Sequence, residues 1–172
     1  MQFGKLYEVY VDRIYNYIYF RIGNTHDAED ITAKVFFKAL KSLASYKHMG
    51  LPFSAWLYRI AHNLVANYHR DYSHYKEISL ETLPDPQLVV KQDHPDVTMQ
   101  KKDEAEFIKV LISDLPPVRQ ELIILKFVDK LSNAEIGKIL RKSEGAIKSL
   151  YHRTLLELRE RVQVEFPDMQ DE

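Results

Sequence analysis

The stretch LSNAEIGKILRKSEGAIKSLYHR, from Leu131 to Arg153, decides how the C-terminal part of this chain is interpreted. It contains Ser132 followed three residues later by Glu135, the pattern of a capping box that starts a helix. Ser143 is suited to cap a second helix only three residues after Leu140, the last apolar residue of the first. The sequence therefore predicts two helices joined by a turn so short that they must cross.

The second helix of this pair has two faces of different character. At about 100° per residue its apolar residues fall within one broad sector. They are Ile147, Leu150, Tyr151, Thr154, Leu155, Leu158 and Val162. Small and longer polar residues occupy the other face, which suits a helix-turn-helix that enters the major groove of duplex DNA. The predicted DNA-binding residues are Ser143, Ala146, Lys148, Ser149, His152 and Arg153. A packed helical hairpin with a solvated basic face is the alternative interpretation.

Composition excludes several classes of protein. The 172 residues include no Cys, which rules out disulfides and Cys-based zinc sites. The seven His form no tight paired spacing with carboxylates of the kind that suits a metal site, and no apolar run approaches the roughly 18 residues that span a bilayer. The sequence also offers no nucleophile–base pair and no Gly-rich phosphate loop. We therefore expect a cytoplasmic protein that is not an enzyme and that uses no cofactor, metal or small-molecule substrate.

Apolar periodicity and charge divide the chain into two helical parts. Residues 1–70 are predicted to form one small domain and residues 101–166 a second. Between them, residues 71–100 lose the apolar period, include three prolines and carry six acidic residues against two basic ones, which predicts a flexible linker. Residues 167–172 are predicted to be a frayed acidic tail. The predicted fold class is all-α, with two small helical domains and the helix-turn-helix in the C-terminal one.

Helix boundaries within these domains are also predictable. Breaks at Gly23–Thr25 and Lys47–Pro52 separate three helices in the first domain. Asn24 or Thr25 is suited to cap the second of these helices, and the acids in its first turn suit the helix dipole. In the second domain, the run Leu122–Leu125 has the composition of a strand, but its neighbours favour a helix.

Four stretches of the chain carry a common pattern: DAEDITAKVFFKAL at 27–40, FSAWLYRIAHN at 53–63, LPPVR at 115–119 and SEGAIKS at 143–149. Together they resemble the extracytoplasmic-function (ECF) group of bacterial sigma factors. Each stretch alone is a weak signal, but the four in this order and at these separations form a strong one. The resemblance implies a factor that binds core RNA polymerase and directs initiation by recognising −35 duplex and melted −10 DNA.

The same resemblance assigns roles to individual residues. The helix that opens with Asp27, Glu29 and Asp30 is similar to the one that docks on the beta-prime clamp of the polymerase, although these acids also suit the helix dipole. The segment 45–70 resembles the reader of the melted −10 element, which needs groups that stack on bases and hold phosphates. The implied −10 residues are Tyr46, Lys47, His48, Trp56, Arg59, Asn63, Asn67 and Arg70. The DNA-binding face of the helix-turn-helix would contact the −35 element.

Several assignments stay open at the level of sequence. Trp56 lies on the apolar face of its helix and is either a core residue or a wedge between DNA bases, and Tyr58 and Tyr68 are divided in the same way. In the second domain an apolar face is expected mostly to build the core, with some residues left for the beta-subunit flap. That face comprises Leu111, Leu122, Ile123 and Phe127.

Four positions in the helix-turn-helix depart from the family pattern. Arg141 stands where Gly is usual, Lys142 where an aliphatic residue is usual, and Gly137 where Ala is usual. Leu150 also replaces a frequent Arg. Because a non-Gly residue in a left-handed turn costs about 1 kcal/mol, we expect the turn at Arg141 to take another shape.

Partners and rival functions follow from the same comparison. Many ECF factors are held inactive by an anti-sigma protein, often membrane-bound, so such a partner is a candidate beside core polymerase and promoter DNA. The rival interpretation is a helix-turn-helix regulator that binds an operator as a dimer.

Overall fold

The computed structural model describes residues 3–46, 51–78, 99–165 and 167, with backbone only at 74–78, 99–102, 104 and 105. Every regular element in these ranges is a helix, which confirms the predicted all-α fold. The helices are α1 (Phe3–Ile22), α2 (Thr25–Lys41), α3 (Leu43–Tyr46), α4 (Phe53–Ile78), α5 (Met99–Ile112), α6 (Pro117–Ile123), α7 (Asn133–Leu140) and α8 (Glu144–Glu165). The chain forms two compact units, Met1–Gln92 and Asp93–Glu172, called here the N-terminal and C-terminal units.

The N-terminal unit is built by α1, α2 and α4, each of which packs on the other two. Its core takes the apolar stripes that the sequence shows at three- and four-residue spacing. Tyr17 of α1 meets Tyr58 of α4 edge to face with ring centroids 5.6 Å apart, and both side chains are fully buried. Tyr7 meets Phe36 of α2 in the same way at 4.8 Å. Aromatic side chains thus fill much of the space between the helices.

The junction between α1 and α2 follows the predicted break. Gly23 has a φ of 73°, and its N–H bonds to the carbonyl of Tyr19 at 2.7 Å, which ends α1. Asn24 caps α2, because its side-chain oxygen accepts a hydrogen bond from the Asp27 N–H at 3.0 Å. Of the two predicted caps, the structure uses Asn24.

Helix α4 is longer than the sequence pattern suggested. It continues to Ile78, whereas the predicted domain ended at residue 70. Asp71, Tyr72 and Ser73 are all exposed, so the buried stripe of α4 does not continue through them. Residues 79–98, in the middle of the predicted linker, and most of the predicted tail lie outside the described residues.

The C-terminal unit packs α5, α6 and α7 around α8. Pro117 opens α6 at a position where a missing N–H costs nothing. The chain then continues through a π-helical segment, Ile124–Val128. The stretch Leu122–Leu125 is therefore helical, as its neighbours suggested, and all of it is buried with Glu121. Arg119 forms an ion pair with Glu157, which joins α6 to α8. Within the described ranges, no helix combines the length and apolar character needed to cross a bilayer.

Candidate nucleic-acid and polymerase interfaces

The start of the helix-turn-helix has the predicted capping geometry. Glu135 N–H donates to Ser132 Oγ at 3.2 Å, and Ser132 N–H donates to Glu135 Oε2 at 2.7 Å. Both halves of the capping box are thus present and satisfy two N–H groups at the helix start. Ile136 and Ile139 are buried on the inner face of α7. This confirms the first helix of the motif.

The turn between α7 and α8 differs from the prediction. Arg141 adopts φ 57° and ψ 43°, a left-handed conformation, so the expectation that a non-Gly residue would force another shape was wrong. Lys142 N–H bonds to the carbonyl of Gly137 at 2.9 Å. A Cβ added at Gly137 would lie 2.7 Å from the carbonyl oxygen of Lys142. The turn therefore closes directly on the backbone of α7, and Gly at 137 is what allows this approach.

Helix α8 divides into the two predicted faces. Ser143 caps it by accepting a hydrogen bond from the Ala146 N–H at 3.1 Å. Ile147, Thr154 and Leu158 are buried. The side chains predicted to face DNA are all exposed. They are Ser143, Ala146, Lys148, Ser149, His152 and Arg153. The structure thus brings these residues to one solvent-facing side of α8, with no ion pair to a described residue at Lys148 or Arg153.

In the N-terminal unit, the polar residues predicted for −10 binding form a ridge along α4. Arg59, Asn63, Asn67 and Arg70 fall within a sector of about 80°, at about 100° per residue. Arg59 is half-buried and the other three are exposed. Arg70 Nη2 donates to Asn67 Oδ1 at 3.2 Å, which aligns these two side chains. Lys47 and His48 lie outside the described residues.

The aromatic residues near this ridge are divided by the structure between core and surface. Trp56 is 5% exposed, and its ring stacks on Tyr46 with centroids 5.1 Å apart and 29° between planes. Phe53 packs against both rings. Of the two roles left open for Trp56, the structure gives it the core role, and Tyr58 is fully buried as well. Tyr46 is the partly exposed member of the cluster.

The three acids at the start of α2 are not equivalent. Asp27 Oδ2 accepts a hydrogen bond from the hydroxyl of Tyr68 on α4 at 2.8 Å. Burial raises the pKa of Tyr68, and this hydrogen bond raises it further. Glu29 and Asp30 are exposed, and Asp30 lies 3.6 Å from the imidazole of His26. Sequence spacing offered no signal for a contact between residues 41 positions apart.

Two further surfaces were missed or only partly foreseen. Phe37 and Leu40 on α2 are 61% and 52% exposed, and Lys41 Nζ lies 5.1 Å from the centre of the Phe37 ring. In the C-terminal unit, an apolar groove of about 500 Å³ lies between α5, the π-helical segment and α8. Its walls include Leu111, Ile123 and Phe127, which are three of the four residues of the apolar face predicted from the sequence. Leu122 is fully buried instead.

Two family matches cover most of the chain. Sigma-70 region 2 matches residues 6–75, and Sigma-70 region 4 matches residues 108–158. The ECF RNA polymerase sigma factor SigW of Bacillus subtilis is 34% identical over 166 residues, which span 93% of this chain and 88% of SigW. The chain belongs to the ECF family of RNA polymerase sigma factors. The ECF sigma factor BldN of Streptomyces coelicolor is 35% identical over 153 residues, and the match spans 57% of its length.

Solved structures of sigma factors share this fold. The sigma factor RpoE, solved in complex with the anti-sigma factor NepR from Bartonella quintana, superposes with a TM-score of 0.72 at 20% identity. That match covers 94% of this ECF chain and 97% of RpoE. CnrH, solved with the cytosolic domain of CnrY, gives a TM-score of 0.70 at 18% identity and covers 94% and 88% of the two chains. Family membership favours a promoter-recognising sigma factor over the dimeric operator-binding regulator.

Proposed function

We propose that this ECF sigma factor binds core RNA polymerase in the cytoplasm and directs initiation at promoters with a −35 duplex element and a melted −10 element. The observation that carries the proposal is the exposed face of α8, where every side chain predicted for DNA is on the surface while Ile147, Thr154 and Leu158 hold the opposite face in the core. A helix that is anchored on one side and polar on the other is suited to enter the major groove.

The −35 contact is made by the N-terminal half of α8. Lys148 and Arg153 supply charge for phosphates or for guanine edges, and Ser149 and His152 add shorter polar contacts. Ala146 leaves room for close approach to the groove. Ser143 accepts one hydrogen bond to cap the helix, and its hydroxyl proton remains available to donate to a DNA phosphate.

The −10 contact is made by the ridge on α4. Asn63, Asn67 and Arg70 present amide and guanidinium groups for base edges and phosphates of a single strand. Because Trp56 is buried beneath Tyr46, we assign stacking on an extruded base to Tyr46. Trp56 supports that ring from below. Lys47 and His48 remain proposed contacts of the same site.

Polymerase docking is assigned to the exposed side of α2. Glu29 and Asp30 supply negative charge that would speed the encounter with basic residues of the beta-prime clamp. Phe37 and Leu40 lie farther along the same helix and supply apolar area, which such a contact needs for affinity. Asp27 belongs to the architecture of the unit through Tyr68 rather than to its free surface.

The groove in the C-terminal unit is proposed to receive the beta-subunit flap. An anti-sigma protein is a further proposed partner, since RpoE and CnrH were each solved with a bound partner and superpose on this chain. Exposed apolar area on α2 and in the groove is the kind of surface that such a partner would cover. As in the rest of the family, no catalytic activity is assigned to the chain.

Core-polymerase pull-down followed by run-off transcription tests this function. The wild-type chain should bind core and produce transcripts of defined start, whereas a Lys148→Gln/Arg153→Gln variant should bind core normally but lose transcripts that depend on a −35 element. Failure of the wild-type chain to associate with core would overturn the proposal. Binding of a palindromic operator by a dimer, without core, would favour the rival regulator.

A further inference from the structure

The turn of the helix-turn-helix carries two exposed cations that neither the −35 assignment nor the family pattern accounts for. Arg141 and Lys142 stand where Gly and an aliphatic residue are usual, and both side chains are exposed. Within the described part of the chain, neither cation forms an ion pair. Two charges are therefore presented to solvent immediately before the helix that is proposed to enter the groove.

The backbone holds these cations in a strained position. Arg141 has a φ of 57°, a conformation that Gly adopts at no cost and that L-residues avoid. Strain of this kind points to a role for the side chain that keeps it there. The close approach of Lys142 to Gly137, with an N–O distance of 2.9 Å, fixes the turn against α7. The pair is thus carried on a turn with little freedom to move.

The surroundings of the pair suit a phosphate. Ser143 follows directly and caps α8, whose first turn presents N–H groups and the positive end of a 22-residue helix dipole. Glu144 is the one acid in residues 138–148, against four basic residues, so the local charge stays positive. Lys148 lies one turn farther along α8.

We propose that Arg141 and Lys142 form a phosphate anchor that grips the DNA backbone beside the −35 element, independently of base sequence. This inference rests on the proposed −35 contact of α8. It adds contacts between the turn and the DNA phosphates to the contacts that α8 makes. Phosphate contacts fix the register of a recognition helix on the duplex, while base contacts determine sequence. The two cations would offset the loss of positive charge at Leu150, which lies farther along α8 and replaces a frequent Arg.

The test measures promoter affinity of the full chain assembled with core polymerase, across 50 to 200 mM salt. The promoter is one that the run-off assay selects, and a second duplex carries a scrambled −35 element. Each phosphate contact contributes about 0.9 to the slope of log affinity against log salt. In an Arg141→Gln/Lys142→Gln variant the magnitude of this slope should therefore fall by about 1.8. The ratio of wild-type to variant affinity for the promoter should then shrink about twelvefold between 50 and 200 mM salt.

Two matched variants separate charge from structure. Arg141→Lys/Lys142→Arg keeps both charges and should retain the wild-type slope. Arg141→Gly removes one charge together with the backbone strain, so it should melt at a higher temperature and yet lose about 0.9 from the slope. A purely structural role predicts the opposite, that Arg141→Gly binds DNA at least as well as the wild type.

The scrambled duplex distinguishes failure of this inference from failure of the proposed function. If the anchor exists, the affinity of the Arg141→Gln/Lys142→Gln variant for both duplexes should fall by the same factor. An unchanged slope, or a loss confined to the intact −35 duplex, would overturn the anchor. If the wild type does not discriminate between the two duplexes, the −35 assignment of α8 fails, while a reduced slope in the Gln variant would still support the phosphate contact.

Discussion

Substitution of Gly137 by Ala tests the geometry of the helix-turn-helix most directly. In an unconstrained helix, replacing Gly by Ala stabilises the folded state by roughly 0.5–1 kcal/mol, because Gly loses more conformational freedom on folding. Here the new Cβ would lie 2.7 Å from the Lys142 carbonyl oxygen, a backbone atom that cannot rotate away. Overpacking of this kind typically costs about 1–3 kcal/mol. We expect the cost of this strain to exceed the gain in helix propensity, so that the free energy of unfolding of the C-terminal unit falls by about 1 kcal/mol.

Gly145 provides the matched control, since it lies in α8 of the same unit and a Cβ there meets nothing within 4 Å. Gly145→Ala should stabilise by roughly 0.5 kcal/mol. The two variants should therefore differ by about 1.5 kcal/mol, which is roughly 6–12 °C in the melting temperature of a domain this size. Circular dichroism follows the melting of both units.

Tryptophan fluorescence separates the two units in this assay. The chain has one Trp, and Trp56 is buried in the N-terminal unit. Its signal should be unchanged by either variant, which confines the effect to the C-terminal unit. A Gly137→Ala variant as stable as Gly145→Ala would refute the close approach. Combining Gly137→Ala with Arg141→Gly should recover part of the loss, because Gly at 141 lets the turn shift away from the new methyl group.

Three further predictions use the same chain. Ser132→Ala removes the cap of α7 and should destabilise the C-terminal unit by about 1 kcal/mol in urea titrations followed by circular dichroism; an unchanged midpoint would contradict the capping box. Folding raises the pKa of Tyr68 above its usual 10, so its contribution is present below pH 10 and is lost as the pH rises beyond that value, where the unfolded chain ionises first. Trp56 fluorescence should therefore show a smaller loss of stability above pH 10 in Tyr68→Phe than in the wild type, and equal losses would refute this contribution. Phe37→Glu should weaken core-polymerase binding at least tenfold in pull-downs without unfolding the unit, while Val9→Glu, at a similarly exposed position on α1, should bind as the wild type; equal binding by both variants would remove Phe37 from the interface.

Sequence patterns predicted the helices and their starts because those features are local. Ser132, Asn24 and Ser143 each cap the helix that follows, and each cap depends only on residues within three positions along the chain. The inward and outward faces of α8 were predictable for the same reason, since a helix repeats its faces at fixed spacing. The end of α4 was not, because Asp71, Tyr72 and Ser73 are exposed and do not continue the buried stripe of the helix.

Contacts between distant residues lay beyond the reach of sequence spacing. The conformation of Arg141 depends on the approach of the turn to Gly137, and a propensity argument about Arg141 alone led to the wrong expectation. The role of Trp56 depended on whether Tyr46 would cover it, which only packing decides. Phe37 and Leu40 are exposed because α1 and α4 cover only the other side of α2, and the sequence of α2 alone does not show which side its neighbours cover.

The acidic start of α2 shows why a motif is better divided by contact than by sequence. The sequence places Asp27, Glu29 and Asp30 in one cluster. The Asp27 carboxylate, however, accepts a hydrogen bond from the Tyr68 hydroxyl, and this bond joins α2 to α4 near the end of the ridge. A basic polymerase residue that bound Asp27 would share a carboxylate that already accepts the Tyr68 hydroxyl, whereas Glu29 and Asp30 are exposed. The cluster therefore separates into one acid that joins the helix proposed to face the polymerase to the helix proposed to face DNA, and two acids that are exposed. We therefore expect replacement of Asp27 to disturb both proposed interfaces, and replacement of Glu29 or Asp30 to affect only the proposed polymerase contact.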